Sequence, residues 1–461
     1  MFGIGGCSRS VRILMVAESF VPHMSGVTTS LLRSAENLRR MGHKVMHLAP
    51  SGRALKPSDW AHPRTVRSTN AMSPGGRRGD DAAPPSEGAG VVLPAPGQWV
   101  DDVEGVPTLR LPSLPLTGYR TLRFSAGTVS AVRRIMVDYQ PDVVHVASPF
   151  VLGARAVTAA KNLGIPSVAV YQTDVAAYTH RYGMPWLEST ADHRIAAIHR
   201  EATLTLAPSR SSAEYLETLG VPRLFRWGRG VDTELFRPDR RNTDLRRRLG
   251  AGDGDTLVGF VGRLASEKQV EDLRVLQSLP GVKLVIVGDG PDASRLASTL
   301  HRATFTGQLT GTDLAEHVAS LDVFAHPGEF ETFGQTLQEA MASGVATVAV
   351  GRGGPLDIIE DGVTGRLYRP GDLGMLRDTV ESLLEPSARA ELAINGRRAM
   401  EAKSWSATSR ELERHYHRAG EFHRTRQLHR WREQRGPGSP GRGRPTTRHR
   451  PLPFSRHVGA P

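Results

Sequence analysis

The feature that most limits what this chain can fold into is a switch of hydrophobic period within its first fifty residues. Val11 to Ala17 is a short apolar run, Thr28 to Arg40 has helical spacing and stops at Gly42, and Lys44 to Ala49 is apolar again. A strand, a helix packed back on it and a second strand form a β-α-β unit, and that crossover requires a parallel sheet. Ligands of parallel sheets bind beyond the carboxyl ends of the strands. Gly26 lies in the first loop of that kind, either as a phosphate-facing residue or as part of a simple turn.

The pattern continues. Strands are expected at Thr108–Leu114, Asp142–Ala147, Ser167–Tyr171 and Leu204–Pro208, with helices over Ala126–Tyr139, after Pro149 to Leu163, and over Trp186–Thr203. His145 alternates with apolar neighbours, the usual setting of a packed histidine, whereas Gln172-Thr173-Asp174 stands at a strand end. Ser51 to about Asp102 is rich in Pro, Gly, Ser and mixed charge with little periodicity, and reads as an insertion without fixed structure. The pattern breaks between Gly220 and Pro238, and a second sheet begins near Thr256. Its strands are expected at Leu257–Gly262, Lys283–Val287, Thr304–Thr306 and Asp322–Ala325, with a helix after Lys268 and a tight turn at Gly288-Asp289-Gly290-Pro291. The expected division is therefore a first domain over 11–222, containing the 51–102 insertion, a second over 223–403, a helix over 404–430 and a basic disordered tail over 431–461.

At 461 residues the chain can bury two separate cores. No apolar run approaches the ~18 residues of a membrane-spanning helix, and Met1 to Arg12 lacks a secretory hydrophobic segment, so a cytoplasmic protein is expected. A single cysteine, Cys7, precludes an internal disulfide and a thiolate zinc cluster. The formal charge of +12 is concentrated: Phe422 to Pro461 holds ten arginines against one acid, leaving only +3 for the rest. Such an end is read as solvated, the competing reading being an arm on an anionic surface. Arg120 and Arg123 carry the same two readings. Nucleic acid is not an expected partner.

Chemistry concentrates between His326 and Val350, where a polar loop, a helix ending at Gly344 and a β-branched strand follow one another. At the helix entrance, Thr332 to Thr336, backbone N–H groups and the positive end of the helix dipole meet, which favours an anion. Gly334 removes a side chain that would keep a phosphate away. Glu331 precedes this point and Glu339 lies eight residues on, too far for an i, i+4 pair. Sugar or ribose hydroxyls would suit both carboxylates; a capping glutamate is the plain alternative. Arg263 and Lys268, beyond the first strand of the second domain, can converge on a diphosphate, or be an exposed basic pair. No paired-Asp or His-rich metal cluster occurs.

These segments, in this order, resemble the retaining glycosyltransferases of the GT-B superfamily: Gly26, Arg263 with Lys268, Val287-Gly288-Asp289-Gly290-Pro291, Glu331-Thr332-Phe333-Gly334 followed by Glu339-Ala340-Met341-Ala342-Ser343-Gly344, and Gly353-Gly354. Phe20 to Leu32, Ser148-Pro149-Phe150 and Gln172 to Tyr178 are most similar to bacterial α-mannosyltransferases that use GDP-mannose to modify glycolipids or phosphatidylinositol mannosides. The resemblance implies an α/β fold of two Rossmann-like domains facing across a cleft, with the last helix crossing back to the first. It implies that Arg263 and Lys268 hold the donor diphosphate, Glu331 the sugar hydroxyls and Glu339 the ribose. Phe333, Gly334, Gln335 and Thr336 would surround sugar and phosphate, with Gly288 in the donor site and Gly26 closing over the phosphate. It further implies transfer with retention, the leaving phosphate taking the acceptor proton, no metal, a lipid-linked or glycolipid acceptor, and peripheral contact with anionic membrane. The chain departs from relatives at Ala147 and Gln172, where many carry histidine, so His145 or Asp174 is expected to supply the first-domain catalytic group. Alternatives are a UDP-glucose or UDP-linked sulfosugar donor, or a protein that binds sugar nucleotide or an anionic surface without catalysis.

Overall fold

A computed structural model describes residues 10–18, 20–21, 25–51, 64–66, 99–116, 119–125, 127–147, 149–172 and 188–433. The first part of the chain contains β1 (Arg12–Val16), β2 (Lys44–Pro50), β3 (Arg64–Val66), β4 (Trp99–Val103), β5 (Val106–Leu111), β6 (Ser113–Leu116), β7 (Tyr119–Ser125), β8 (Val143–Val146), β9 (Ser167–Val170), β10 (Leu204–Ala207) and β11 (Leu224–Arg226). Nine of these form one sheet in the order β11-β10-β9-β8-β1-β2-β5-β4-β3, and β6 and β7 form a separate hairpin. Pairing from β11 through to β5 is parallel, and β4 runs antiparallel to β5.

The second part contains β12 (Thr256–Val261), β13 (Val282–Val287), β14 (Thr304–Gly307), β15 (Val323–His326), β16 (Ala346–Val350) and β17 (Arg366–Tyr368). They form a sheet in the order β14-β13-β12-β15-β16-β17, parallel throughout. The two-domain α/β architecture expected from the sequence is therefore present.

The central strands of each sheet are buried on both faces, because their apolar side chains alternate between two cores. On β1, Ile13 and Met15 join a core with Leu31 and Leu38 of the helix Gly26–Arg40, while Leu14 and Val16 join a second core with Val132 and Ala156 on the opposite face. On β12, Leu257 and Val261 face one core and Val258 and Phe260 the other. The last helix, Trp405–Glu433, returns to the first sheet: Leu412, Tyr416 and Ala419 complete the Ile13 core. Truncating Leu412, fully buried there, would cost about 2–5 kcal/mol. This helix also reaches into the arginine-rich end, since Phe422 packs 6.2 Å from Phe225 and the helix continues to Glu433. The Trp227 indole N–H donates to Thr408 O at 3.0 Å, fastening the connection between the domains to the same helix.

Two local expectations are corrected. The stretch 51–102, read as lacking fixed structure, contributes β3 and most of β4, and residues 52–63 and 67–98 lie outside those described. β4 is held by a two-residue turn at Glu104 and Gly105, with φ of 51° and 77°, whose twist suits a hairpin, and Asp102 accepts from Gly105 N at 2.8 Å. The helix expected after Lys268 is 3₁₀, Val270–Leu276, entered through Gln269 at φ 49°.

In each sheet the strand order reverses beside the first strand: β1 lies between β2 and β8, and β12 between β13 and β15. A crevice opens beyond the carboxyl ends at such a point. The loops after β12 and β15 carry Lys268 and Glu331, which explains how residues so far apart in sequence come to meet.

Candidate active site

The loop after β15 is shaped by close backbone contacts. Gly354 N donates to Glu331 O at 2.7 Å, and a β-carbon on Gly353 would stand 2.6 Å from that same oxygen. The two glycines therefore hold the main chain of Glu331 against the loop after β16. Gly334 starts the helix Gln335–Ala342 from φ 101°, a left-handed conformation, and a β-carbon there would also strike Leu337. Leu337 N and Gln338 N donate to Gly334 O at 3.1 and 3.3 Å, so the amides at the very entrance, Gln335 and Thr336, are the ones that precede any acceptor within the helix.

Glu331 is enclosed. One of its carboxylate oxygens lies 2.5 Å from Lys268 Nζ and 3.5 Å from His326 Nε2, and the other accepts from Phe333 N at 3.3 Å. Burial pushes the carboxyl up, but Lys268 and His326 outweigh it and hold the group well below the ordinary carboxylate range. It is an anion at neutral pH. Glu339, half-buried on the helix, has the opposite setting: burial pushes its carboxyl up to about 8, a hydrogen bond from Gln335 opposes this, and Asp232 adds to it. Gln335 Nε2 donates to Gly230 O at 3.0 Å, while its Oε1 is buried without a hydrogen-bond partner.

Of the two expected diphosphate cations, Lys268 turns to Glu331, whereas Arg263 is about half exposed, 48%, with Glu267 4.0 Å away. Gly288 touches the site through the loop rather than directly. A β-carbon there would lie 1.9 Å from Gly262 O, and Leu264 N donates to Asp289 O at 3.0 Å, so it is the close fit of two strand-end loops that places the Arg263–Lys268 segment. Phe333 is buried and Thr336 half-buried.

The first domain contributes Gly26, which opens the helix Gly26–Arg40 just after Ser25, whose hydroxyl caps Thr28 N at 3.2 Å. It also contributes Gln172, at the end of β9, whose backbone oxygen accepts from Thr332 Oγ1 at 3.4 Å. His145 is not brought to this cluster. It is buried in the first core, Nδ1 3.0 Å from Tyr416 Oη and edge-on to Trp227, and burial lowers it to about 3, so the ring stays neutral. Asp174 lies outside the described residues.

Two residues that motif reading passed over belong to the site. His326 ends β15 beside Glu331, and its Nδ1 is buried without a hydrogen-bond partner. Arg229, on the connection between the domains, donates through Nη2 to Gln172 Oε1 at 2.8 Å and lies 5.6 Å above the Phe333 ring. The signal for Arg229 was its setting in Trp227-Gly228-Arg229-Gly230, a lone cation between two glycines. Among the described residues no group of three or more His, Cys, Asp or Glu side chains could hold a metal ion.

Comparison with known proteins places these observations in a family. Residues 24–235 match Glycosyltransferase Family 4 and residues 241–399 match Glycosyl transferases group 1. The GDP-mannose-dependent alpha-mannosyltransferase of Corynebacterium glutamicum is 38% identical over 413 residues, covering 88% of this chain and 89% of that protein. The sulfoquinovosyl transferase of Arabidopsis thaliana is 35% identical over 330 residues, 69% of this chain and 64% of that one. Among solved structures, sucrose-phosphate synthase from Thermosynechococcus elongatus superposes with a TM-score of 0.67 at 19% identity, covering 89% and 99% of the two chains, a likeness of fold.

Proposed function

We propose, for a chain that belongs to the group 1 and family 4 glycosyltransferases, that it transfers mannose from GDP-mannose to a lipid-linked or glycolipid acceptor with retention of the anomeric configuration. The observation that carries the donor assignment is the 38% identity, along nearly the whole of both chains, to an enzyme named for GDP-mannose.

The geometry supports a division of labour. Glu331, anionic and fixed by Lys268, accepts hydrogen bonds from donor sugar hydroxyls. Glu339 holds a proton at neutral pH in the unliganded protein, so its carboxyl can both donate to and accept from the ribose diol. Arg263 and Lys268 face the diphosphate, Gly334, Gln335 and Thr336 offer the helix entrance to it, and Gly26 brings a second helix start from the other domain. The reaction breaks the bond between sugar C1 and the phosphate oxygen and forms one from the acceptor oxygen to C1 on the same face. The acceptor proton passes to the departing phosphate. Stabilising that phosphate is the main task of the cations. No metal takes part in this reading.

Among the described residues no helix is long and apolar enough to cross a membrane, and contact with an anionic bilayer is proposed as peripheral. A sulfosugar donor is the second reading, favoured by the likeness to the sulfoquinovosyl transferase. Purified protein incubated with GDP-mannose and with UDP-sugars, with and without a lipid extract, separates the two. Mannosylated lipid with the α anomer by NMR is expected. Turnover of UDP-sugars alone would refute the donor assignment.

A further inference from the structure

Arg229 is a buried cation with no counter-charge in contact. It is 7% exposed, and among the described residues it forms no ion pair. Its Nη2 is used by Gln172, while its Nε is buried without a hydrogen-bond partner. A guanidinium removed from water needs an anion or a full set of acceptors, and this one has neither. Burial lowers it only to about 10, with Glu331 acting to raise it, so it stays charged at neutral pH.

Its surroundings show where the missing anion would stand. A β-carbon on Gly26 would come within 2.8 Å of Arg229 Nη1, so the glycine at the start of the helix Gly26–Arg40 leaves room for this guanidinium. The Phe333 ring, two residues beyond Glu331, covers its face. Arg229 therefore lies where a helix entrance of the first domain, the end of β9 and the loop after β15 converge. The local charge balance points the same way. Lys268 is already neutralised by Glu331 and Arg263 is half in water, leaving a diphosphate without a fully dehydrated cation among the two expected ones. A buried charge acts on an adjacent anion through a lower effective dielectric than an exposed one, and its effect is correspondingly larger.

We propose that Arg229 is a third cation of the donor site, contacting the sugar-linked phosphate of the nucleoside diphosphate from the connection between the domains while it holds Gln172. This rests on the reading of the cleft as a sugar-nucleotide site and adds a catalytic residue to it. Because Arg229 touches both domains at once, the phosphate it binds would also hold the cleft closed.

Calorimetric titration of the full chain with GDP and with GMP tests this, because only the diphosphate supplies the second phosphate. Arg229→Gln should lower the ratio of GDP to GMP affinity at least tenfold, and Arg229→Lys, which keeps the charge but not the fork, about threefold. Gln172→Ala should leave the ratio within twofold. Equal weakening of GDP and GMP by Arg229→Gln would overturn the proposal, as would a loss of ratio in Gln172→Ala equal to that in Arg229→Gln, which would make Arg229 an orienting residue for Gln172. Should the glutamine variant fail to fold, an unchanged ratio in the lysine variant overturns it. Wild-type protein that prefers UDP to GDP would refute the donor assignment alone, and the same comparison then runs with UDP and UMP.

Discussion

Glu331 and Glu339 stand eight residues apart on one loop and helix, yet they are held in opposite protonation states. Both are withdrawn from water, so burial is not what separates them. Glu331 has a lysine at 2.5 Å and an imidazole at 3.5 Å on one oxygen, whereas Glu339 has a glutamine and the repulsion of another carboxylate, Asp232. The same desolvation is overridden in one place and reinforced in the other. A motif of two glutamates thus describes an anion and an acid, suited to different hydroxyls.

The largest effect should come from breaking this asymmetry at its charged member. Glu331→Gln is expected to lower kcat/KM for sugar transfer by about a hundredfold or more, the scale of losing a preorganised charged contact. Glu339→Gln should cost about tenfold and mostly in KM, because an amide replaces a group that is already neutral. Equal losses in steady-state assays would show that the two carboxylates work in the same state. Next in size is Lys268→Met, which leaves Glu331 enclosed without its cation and should destabilise the protein by about 3–5 kcal/mol in chemical unfolding. The double variant with Glu331→Gln should recover much of that. An additive double variant would mean that the ion pair contributes nothing to folding.

Opposite protonation also means opposite pH dependence. Glu339, raised to about 8 from 4.5, keeps a proton in the folded state that the unfolded chain has released, so its contribution to stability falls as pH rises from about 4.5 to about 8. Glu331, lowered below 4.5, contributes stability that is complete above that value and is lost as pH falls through its folded pKa. Thermal midpoints recorded across pH should therefore decline less toward pH 8 in Glu339→Gln and less into acid in Glu331→Gln, by a few degrees in each case. The reverse assignment of the two flattened limbs would invert the comparison.

Much of this site could be read from the chain because its parts are local. Gly334, Gln335 and Glu339 lie within one turn-and-helix segment whose pattern announces itself, and the parallel sheets follow from apolar runs separated by helices. What could not be read is what depends on tertiary neighbours. Lys268 and Arg263 look alike in sequence, yet one is paired and the other half exposed, a difference set by how Gly262 and Gly288 let their loops meet. Arg229 carries no local mark of burial, since Gln172 and Phe333 come to it from fifty-seven residues before and about a hundred after. His145 has two readings in the sequence, a packed ring from its alternating strand and a catalytic group from the resemblance, and its contact with a tyrosine of the returning helix agrees with the first. β4 is hard to read from the chain because a Pro- and Gly-rich stretch leads into it and its pairing depends on the turn at Glu104-Gly105.

The smallest expected effect concerns metal ions. A divalent cation between donor phosphate and enzyme would need an anionic side chain with an open oxygen, and Glu331 is the obvious candidate by charge. Both of its oxygens already have partners, one Lys268 and His326 and the other Phe333 N, so the capacity left suits a donating sugar hydroxyl, while Glu339 enters as a neutral group. In the proposed reading, charge on the leaving phosphate is met by Lys268, Arg263, Arg229 and the helix entrances. Transfer rates measured with excess EDTA, after prolonged dialysis against it, should stay within about 1.5-fold of the untreated enzyme. A loss restored by Mg²⁺ or Mn²⁺ would show that Glu331 gives up Lys268 to a metal when donor binds, and the contrast between the two glutamates would then hold only for the unliganded protein.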